Sequence, residues 1–419
     1  PNIEVWYEKY LFPHEIVKKM GESGIFGPNV SPDYGGGGLD SISYGLIMQE
    51  LERGDSGMRS TASVQSSLVM YPIEAYGSDD QKKKYLPKLA SGEMLGCFGL
   101  TEPDYGSNPG GMVSKLEDKG DHYVLNGSKT YITNGVYGDF VVTVCKTNPS
   151  AGTKGISLIV VDLNSDGINR TKIDKLGWHA SDTAEISLDN VKVPKENLIG
   201  EEGKGFYYLM NGLQLERLIF IPSSVASMEY AIEVSLDYMS KRKAFGKTID
   251  KFQVLRHRIA KLSSKVECLK AFGYYCSKLY DDKVYDVGLY SMAKLISTEL
   301  HEKVATECLQ FFGGYGYMEE YPIARMYRDV RIGTIGAGTS EIMREIIAKI
   351  NIDKIDKINN VNETGNSQKE ILFILGNAMS GAPIIIGTNQ LPKPPIIAGI
   401  TIKKIMIKPW PVTKTLYKW

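Results

Sequence analysis

"YVLNGSKTYIT", residues 123–133, decides the fold class, because its residue pattern differs from that of the sequence on either side. Tyr123-Val124-Leu125 and the run from Lys129 to Ile132 are rich in β-branched and aromatic residues. Between them lies Asn126-Gly127, the dipeptide most typical of a two-residue hairpin turn. We therefore predict two paired strands that are joined by a turn at Asn126-Gly127.

Further β-prone runs follow this stretch and extend the strand-forming region. They cover Phe140 to Cys145, Ile156 to Val161 and Ala184 to Val193, and turn-forming residues separate them. No helical pattern alternates with these runs, so βαβ units are not expected. The pattern predicts an antiparallel β domain over residues 96–200.

Helical periodicity flanks the β region on both sides. Ser78 is a plausible N-cap for one of the helices predicted in residues 1–95. In residues 201–350, apolar side chains recur every three or four positions, as in Leu289, Met292, Ile296 and Leu300, which is typical of the core of a helical bundle. The chain is therefore predicted to be an α+β multidomain protein with an N-terminal helical domain, a middle β domain and a C-terminal four-helix bundle.

The composition changes again at residue 351. Residues 351–419 begin with a polar segment of low complexity and continue with a β-prone segment that prolines interrupt. A small hairpin module, a partner-binding segment and a non-native extension are all compatible with this tail, which we leave unassigned.

Overall charge and cysteine usage exclude several classes of function. Lys+Arg and Asp+Glu both total 49, so no net field would recruit nucleic acid or an anionic membrane. No apolar run approaches the roughly 20 residues that a membrane-spanning helix needs. The five cysteines are scattered, which favours a reducing compartment and argues against a disulfide framework or a metal site. We expect cytoplasm for a prokaryotic chain and the mitochondrial matrix for a eukaryotic one.

Two motifs in the β region carry groups that suit a planar ligand. "FGLTEPDYGS", residues 98–107, supplies hydroxyls and a proline-fixed turn, and "KTYITNG", residues 129–135, places Tyr131 and Thr133 on alternate positions of one strand. Such a pair could stack beside a ring and donate a hydrogen bond to it. Taken alone, residues 98–107 could equally be a turn with polar side chains and no ligand. Tyr131 and Thr133 could equally be an ordinary aromatic–threonine pair of a sheet.

Three helical motifs add groups that suit a dinucleotide. They are "RKAFG" at 242–246, "QFFGG" at 310–314 and "GTSE" at 338–341. Paired glycines let the backbone approach a ligand closely, and an arginine such as Arg242 is a natural partner of a pyrophosphate. Each motif is weak alone, and their combination and order are informative.

These motifs, with "RKAFGKTIDKFQ", "CLQFFGGYGY" and "EEYPIARMYRDVRI", give residues 13–348 a resemblance to the acyl-CoA dehydrogenase family. The resemblance implies FAD as cofactor, an acyl-CoA substrate, an electron-transfer flavoprotein as electron acceptor, and a homotetramer or homodimer in which subunits share sites. Positions implied to line the flavin are Phe98, Leu100, Thr101, Ser107, Tyr131, Ile132 and Thr133. Positions implied to hold the dinucleotide are Arg242, Phe245, Gln253, Gln310, Phe311, Phe312, Gly313, Gly314, Thr339, Ser340 and Glu341.

The family's reaction removes the α-proton of an acyl-CoA with a carboxylate while the flavin accepts the β-hydride. In most of the family that carboxylate is the Glu of a Tyr-Glu-Gly-Thr turn, which here reads Gly336-Ala337-Gly338-Thr339 and has no base. Glu216, in "NGLQLERLIF", is similar to the catalytic Glu of the isovaleryl-CoA and long-chain types. We predict that Glu216 is the base, that small residues at the turn make room for it, and that Pro222 distorts its helix.

The substrate is less clearly indicated. "ELERGDSGMRSTASVQSSLVMYPI" is similar to glutaryl-CoA dehydrogenases, in which an Arg and a Ser, here Arg59 and Ser63, receive the distal carboxylate. The C-terminal half instead resembles the long-chain and isovaleryl types. A catalytically silent flavin or acyl-CoA binding protein and an oxygen-using oxidase are alternatives. The remaining positions implied to face substrate are Ser107, Tyr207, Gln214, Arg217, Ala337 and Gly338.

Overall fold

The structure is a computed structural model, and it describes residues 3–352. Helices occupy the first part of the chain: α1 (Ile3–Glu8), α2 (Glu15–Glu22), α3 (Ser41–Gly54), α4 (Ser56–Ser63), α5 (Tyr71–Tyr76) and α6 (Asp79–Ala90). A π-helical segment, Val64–Met70, joins α4 directly to α5. Ser78 caps α6 as predicted, and with Gln81 it forms a reciprocal capping box that satisfies two orphan backbone donors.

The middle of the chain forms one eight-stranded sheet with the order β6-β7-β3-β2-β4-β5-β8, and β1 pairs with β4. The strands are β1 (Gly96–Gly99), β2 (Lys115–Asp118), β3 (His122–Thr133), β4 (Phe140–Lys146), β5 (Ile156–Asp162), β6 (Ile168–Lys172), β7 (Thr183–Pro194) and β8 (Leu198–Ile199). Most pairs are antiparallel, but β1 runs parallel to β4. The sheet is therefore mixed, which local periodicity could not predict.

The hairpin predicted at Asn126-Gly127 is wrong, because β3 passes through this dipeptide without turning. Gly127 has φ +152°, and a Cβ at this position would lie 2.2 Å from Ser114 Oγ. The register between β3 and β7 shifts between Leu125 and Gly127. Gly127 therefore belongs to a β-bulge at which Ser114 leaves no space for a side chain, and it does not reverse the chain.

Helices return after the sheet and form a bundle. They are α7 (Gly205–Lys241), α8 (Gln253–Asp281), α9 (Val287–Phe312), α10 (Pro322–Val330) and α11 (Ser340–Asn351), and a short hairpin of β9 (Lys243–Ala244) and β10 (Lys247–Thr248) follows α7. α7 continues through Pro222 as a single helix, and the ring of Pro222 faces Gly45 of α3 at close range. The helical bundle and the α+β class are confirmed.

Two hydrophobic cores lie on opposite faces of the sheet. Along β4, Val142 and Val144 belong to the larger core, which they share with helices of both helical regions, whereas Val141 and Cys145 belong to the smaller one. Burial on both faces explains why β4 reads as a continuous apolar run. The predictions made for the tail, residues 351–419, lie outside the described residues from residue 353 onward.

Candidate functional site

Glu216 is a buried carboxylate that α7 directs toward the π-helical segment. Its side chain is 9% exposed. The Ser67 hydroxyl donates a short hydrogen bond to Glu216 Oε2, and Ser63 Oγ lies 3.4 Å from Glu216 Oε1. Each carboxylate oxygen therefore has a serine hydroxyl beside it. The burial of Tyr44 and then the nearby charge of Glu216 raise the pKa of the Tyr44 phenol well above its usual range.

Ser63 and Ser67 face α7 together because they are four residues apart in a continuous helical stretch. Ser67 Oγ also lies 2.6 Å from the carbonyl oxygen of Ser63. Single-turn π segments inside helices are frequently found at functional sites. Here the π segment carries Ser67 and places its hydroxyl against the Glu216 carboxylate.

Arg59 lies one hydrogen bond beyond Ser63. Its Nη1 donates to Ser63 Oγ at 3.2 Å, and its Nε donates to Glu52 Oε2 at 2.8 Å. The guanidinium carbon is 5.2 Å from the ring centroids of both Trp178 and Phe220. Within the described chain its Nη2 makes no hydrogen bond, so that edge of the guanidinium has donors to offer a ligand.

The Gly336–Thr339 turn is held by two buried cations. Arg217 Nε donates to the Ala337 carbonyl oxygen at 3.4 Å, and Lys294 Nζ donates to the carbonyl oxygens of Gly333 at 2.9 Å and Gly338 at 2.5 Å. Ala337 has φ +53°, which is uncommon for a residue with a side chain. The turn thus has a fixed and strained backbone.

Burial shifts the titration of both cations. It lowers the pKa of Arg217 to about 10. Burial, followed by the charge of Arg217, lowers the pKa of Lys294 to about 8. Among residues 3–352, neither cation has a carboxylate within salt-bridge distance, and both donate to carbonyl oxygens.

The segment predicted to face the flavin is fastened to β3. Lys129 Nζ donates to Glu102 Oε1 at 2.7 Å and to the Leu100 carbonyl at 3.2 Å, and Thr130 N donates to the Thr101 carbonyl at 2.9 Å. Phe98, Leu100, Thr101 and Thr133 are half-buried, Ile132 is buried, and Ser107 is exposed.

Tyr131 departs from the simple alternation that the sequence suggested. It is 69% exposed, has φ +59°, and sits where the register with β7 shifts between Lys129 and Ile132. Tyr131 and Thr133 therefore do not lie on one face of β3, as they would in a regular strand. The bulge instead turns the Tyr131 ring outward from the sheet.

The residues predicted to hold the dinucleotide fall into separate groups. Arg242, Gln310, Phe311, Phe312, Gly313 and Gly314 border one cavity of about 580 Å³. Thr339, Ser340 and Glu341 border another cavity of about 590 Å³. Phe245, at the tip of the β9–β10 hairpin, is 96% exposed, and Gln253 is also exposed.

The local chemistry of these groups fits a dinucleotide such as FAD. Gly313 and Gly314 have no heavy atom within 4 Å of a built Cβ, so a ligand can approach the backbone there. Thr339 Oγ1 accepts a hydrogen bond from Ile342 N at the start of α11, and the buried hydroxyl of Ser340 has no partner in the described chain. Arg242 stacks on Tyr315 at 5.4 Å and leaves its donors available.

The other residues predicted to face substrate are spread around α7. Tyr207 is 61% exposed at the start of the helix. Gln214 is buried; its Nε2 donates to the Met210 carbonyl at 3.1 Å, and its Oε1 has no partner within residues 3–352. Gly338 leaves no room for a side chain, because a Cβ would lie 2.6 Å from Met343 Cε.

Sequence reasoning missed Ser67, Glu52, Trp178 and Lys294. Ser67 could have been suspected from its spacing of four residues from Ser63. Lys294 lies off the predicted apolar stripe of α9, where a lysine reads as a solvated position, yet it is fully buried beside Tyr290 and Ser297 on the same helix. Trp178 comes from a loop with no recognisable pattern.

Three family models match the chain. They are described as the N-terminal, middle and C-terminal domains of acyl-CoA dehydrogenase, and they match residues 1–93, 97–191 and 203–351. The chain belongs to the acyl-CoA dehydrogenase family. It is an oxidoreductase that carries out FAD-dependent dehydrogenation of an acyl-CoA, and the resemblance named from its motifs is confirmed.

Sequence identity to its relatives does not single out one subfamily. The chain is 38% identical to the mitochondrial long-chain specific acyl-CoA dehydrogenase of Mus musculus, over 83% of this chain and 82% of that protein. It is also 38% identical to a glutaryl-CoA dehydrogenase of Desulfococcus multivorans, over 83% and 91% of the two chains. The crystal structure of an acyl-CoA dehydrogenase from Geobacillus kaustophilus matches with a TM-score of 0.81 and 39% identity, over 83% and 92%.

Residues 3–352 carry no sign of a membrane span or of a metal site. No helix there combines the length and apolar character needed to cross a membrane. Nor do three or more His, Cys, Asp or Glu side chains of that part of the chain cluster in a way that could hold a metal ion. The five cysteines are free thiols, and Cys268 is the exposed one among them.

Proposed function

We propose that Glu216 is the base that removes the α-proton of the acyl-CoA. The observation that carries this proposal is the pairing of a buried carboxylate, held by two serine hydroxyls, with a Gly336–Thr339 turn that has no carboxylate. A fixed carboxylate in a water-poor site is suited to proton abstraction beside a thioester. When bound, FAD supplies the acceptor for the β-hydride.

The protein's own residues divide the remaining work between them. Ser63 and Ser67 orient the Glu216 carboxylate, and Arg217 and Lys294 fix the facing turn through its carbonyl oxygens. The backbone N–H groups of that turn are thereby held in one geometry. Preorganised donors of this kind stabilise charge that develops on a thioester oxygen.

Replacing Glu216 by Gln tests this assignment, because the amide keeps the size of the side chain but cannot accept the proton. We expect the Glu216→Gln protein to bind FAD normally and to lose bleaching of the flavin by acyl-CoA by at least about 10³-fold. Glu233→Gln is a matched control on the same helix, since its side chain is 71% exposed. If Glu216→Gln reduces its flavin at the wild-type rate, the base lies elsewhere.

A second candidate is a glutaryl-CoA type activity, with or without loss of CO₂. Arg59 favours it, because this buried cation has free donors at Nη2 and is connected to Glu216 through Ser63 by hydrogen bonds of 3.2 and 3.4 Å. That separation suits a substrate whose carboxylate lies three carbons from its α-carbon. A panel of glutaryl-, isovaleryl-, butyryl- and palmitoyl-CoA, with product mass analysis, separates the candidates.

The same panel tests the functions from other classes. A silent binding protein would retain FAD that no acyl-CoA reduces. An oxidase would reduce its flavin and produce peroxide without an acceptor protein. We propose instead that electrons pass to an electron-transfer flavoprotein, so that reoxidation requires this acceptor.

We also propose that the working protein is a homotetramer or homodimer. Phe245 supports this, because a fully exposed aromatic ring at a hairpin tip is better explained by a partner surface than by solvent. The FAD-directed groups around Arg242 and Thr339 border different cavities, which fits sites that are shared between subunits. Sedimentation of the FAD-loaded protein measures the assembly state.

A further inference from the structure

The Ser67 hydroxyl lies between two hydrogen-bond acceptors. One is Glu216 Oε2 and the other is the carbonyl oxygen of Ser63, at 2.6 Å from Ser67 Oγ. Ser67 is fully buried, so water does not supply a further donor or acceptor from bulk solvent. A serine hydroxyl has one proton and can donate to only one acceptor at a time.

The proton count therefore depends on the state of Glu216. When Glu216 is ionised, Ser67 donates to the carboxylate, and the Ser63 carbonyl loses that donor. When Glu216 carries a proton on Oε2, the new O–H can donate to Ser67 Oγ, and the Ser67 O–H is free to donate to the Ser63 carbonyl. A rotation of the Ser67 hydroxyl connects the two arrangements. The ionised state leaves the contact between Ser67 Oγ and the Ser63 carbonyl oxygen without a proton, whereas the protonated state places a proton in both contacts.

We propose that Ser67 is a positioning residue for the dehydrogenation step, and that its hydroxyl switches from donor to Glu216 to donor to the Ser63 carbonyl when Glu216 accepts the α-proton. This inference rests on the proposed role of Glu216. The α C–H bond of the substrate breaks, its proton forms the Glu216 O–H bond, and its electron pair stays with the acyl group. The Ser67 hydroxyl rotates and keeps its own proton. No additional proton donor or acceptor is required.

Ser63 cannot replace Ser67 in this role. Its hydroxyl lies 3.4 Å from Glu216 Oε1 and 3.2 Å from the Ser60 carbonyl, and it also accepts a hydrogen bond from Arg59 Nη1. Because that oxygen already accepts from a cation, Ser63 serves mainly to connect Arg59 to the site. The contact to Oε2 is therefore the one that distinguishes Ser67.

Ser66 offers a matched control in the same π segment. It is fully buried like its neighbour, but its hydroxyl accepts a hydrogen bond from Gly27 N at 2.9 Å and makes no contact with Glu216. A Ser66→Ala change therefore reports what the loss of a buried hydroxyl does to this helix without touching the proposed base.

The experiment compares Ser67→Ala, Ser67→Thr and Ser66→Ala in the FAD-loaded protein by stopped-flow bleaching of the flavin. The probe is the best substrate of the acyl-CoA panel, used with hydrogen and with deuterium at its α-carbon. We expect Ser67→Ala to slow bleaching at saturating substrate by about ten- to a hundredfold, with KM changed by less than about threefold, because a hydrogen bond to a charged group is lost. The α-deuterium isotope effect should increase, and Ser67→Thr should restore most of the rate.

Three outcomes separate the explanations. If Ser67→Ala matches Ser66→Ala in rate and isotope effect, Ser67 has only a structural role and the inference is overturned. If Ser67→Thr is as slow as Ser67→Ala while both retain FAD and thermal stability, the hydroxyl is not the active feature and the inference fails. If Glu216→Gln bleaches as fast as wild type, the proposed function and this inference fail together.

Discussion

Removing both charges of the buried Arg59–Glu52 pair should destabilise the protein by clearly less than the sum of the two single removals. Both side chains are 3% exposed, and Arg59 Nε lies 2.8 Å from Glu52 Oε2. Ser56 Oγ donates to the other oxygen, Glu52 Oε1, at 2.7 Å. Trp178 and Phe220 cover the guanidinium at 5.2 Å each, so water has little access to either charge.

The contacts of this pair set the expected loss in the free energy of unfolding for each variant. Breaking a buried pair from one side typically costs about 3–5 kcal/mol, because an uncompensated charge stays buried. Glu52→Gln should lie near 3 kcal/mol, since the amide oxygen can still accept from Arg59 and the two rings still stabilise the cation. Arg59→Met should lie near the upper end, because the carboxylate then keeps only Ser56. The double variant should cost at least about 2 kcal/mol less than the sum.

Urea unfolding of the four proteins, at one protein concentration and with saturating FAD, gives this coupling energy directly. The exposed pair of Lys241 and Asp237 on α7 is the control, since its side chains are 72% and 64% exposed. Lys241→Met and Asp237→Asn should couple by less than about 1 kcal/mol. Equal coupling energies for the two pairs would refute the argument that burial makes Arg59–Glu52 special.

Two further predictions concern the buried titratable side chains of His301 and Lys294. Burial lowers the pKa of His301 to about 4, below its unfolded value near 6.5, so its contribution to stability is present above pH 6.5 and is lost as pH falls toward 4. Over that window the His301→Asn protein should lose about 3 kcal/mol less unfolding free energy than wild type, and parallel pH curves would contradict this. Lys294→Met removes the donor to Gly333 and Gly338, so it should lower the unfolding free energy by about 2 kcal/mol and weaken FAD binding, whereas Lys294→Arg should do so less. Unchanged FAD affinity and stability in Lys294→Met would show that the turn does not depend on this cation.

Local sequence patterns predicted helices and strands well where interactions within a single element determine its structure. The cap at Ser78, the helix over Leu289 to Leu300 and the strand at Phe140 to Cys145 all depend on neighbours within one element. The core face of that helix was predicted wrongly, because Ile296 is 49% exposed and Tyr290 and Ala293 are buried instead. Asn126-Gly127 failed for the opposite reason. Its role follows from Ser114, which directly precedes β2 and whose approach to Gly127 hairpin statistics do not include.

The site could be predicted in part from the sequence. The contacts that could not be predicted join residues that are far apart along the chain. Ala337 and Glu216 could be paired by resemblance to a family, and the structure places Arg217, the next residue after Glu216, against the Ala337 carbonyl. The serine that contacts Glu216 lies 149 residues away, and Lys294 reaches Gly338 across 44 residues. No local propensity encodes such contacts, because they arise only when α7 packs against the π segment and α9 packs against the turn before α11.

Consecutive positions on α7 connect the proposed base to the turn that lacks one. Side chains of adjacent helical residues diverge by about 100°. Glu216 accordingly points to Ser67 in the N-terminal region, while Arg217 points to Ala337 in the turn before α11. A change that rotates α7 at this place would therefore disturb the carboxylate and the turn together.

Moving the base back to position 337 would then require more than Ala337→Glu, because Arg217 and Lys294 already hold that backbone at φ +53°. We expect Ala337→Glu with Glu216→Gly to recover only part of the bleaching rate, and full recovery would show that the cations leave the turn free to adapt.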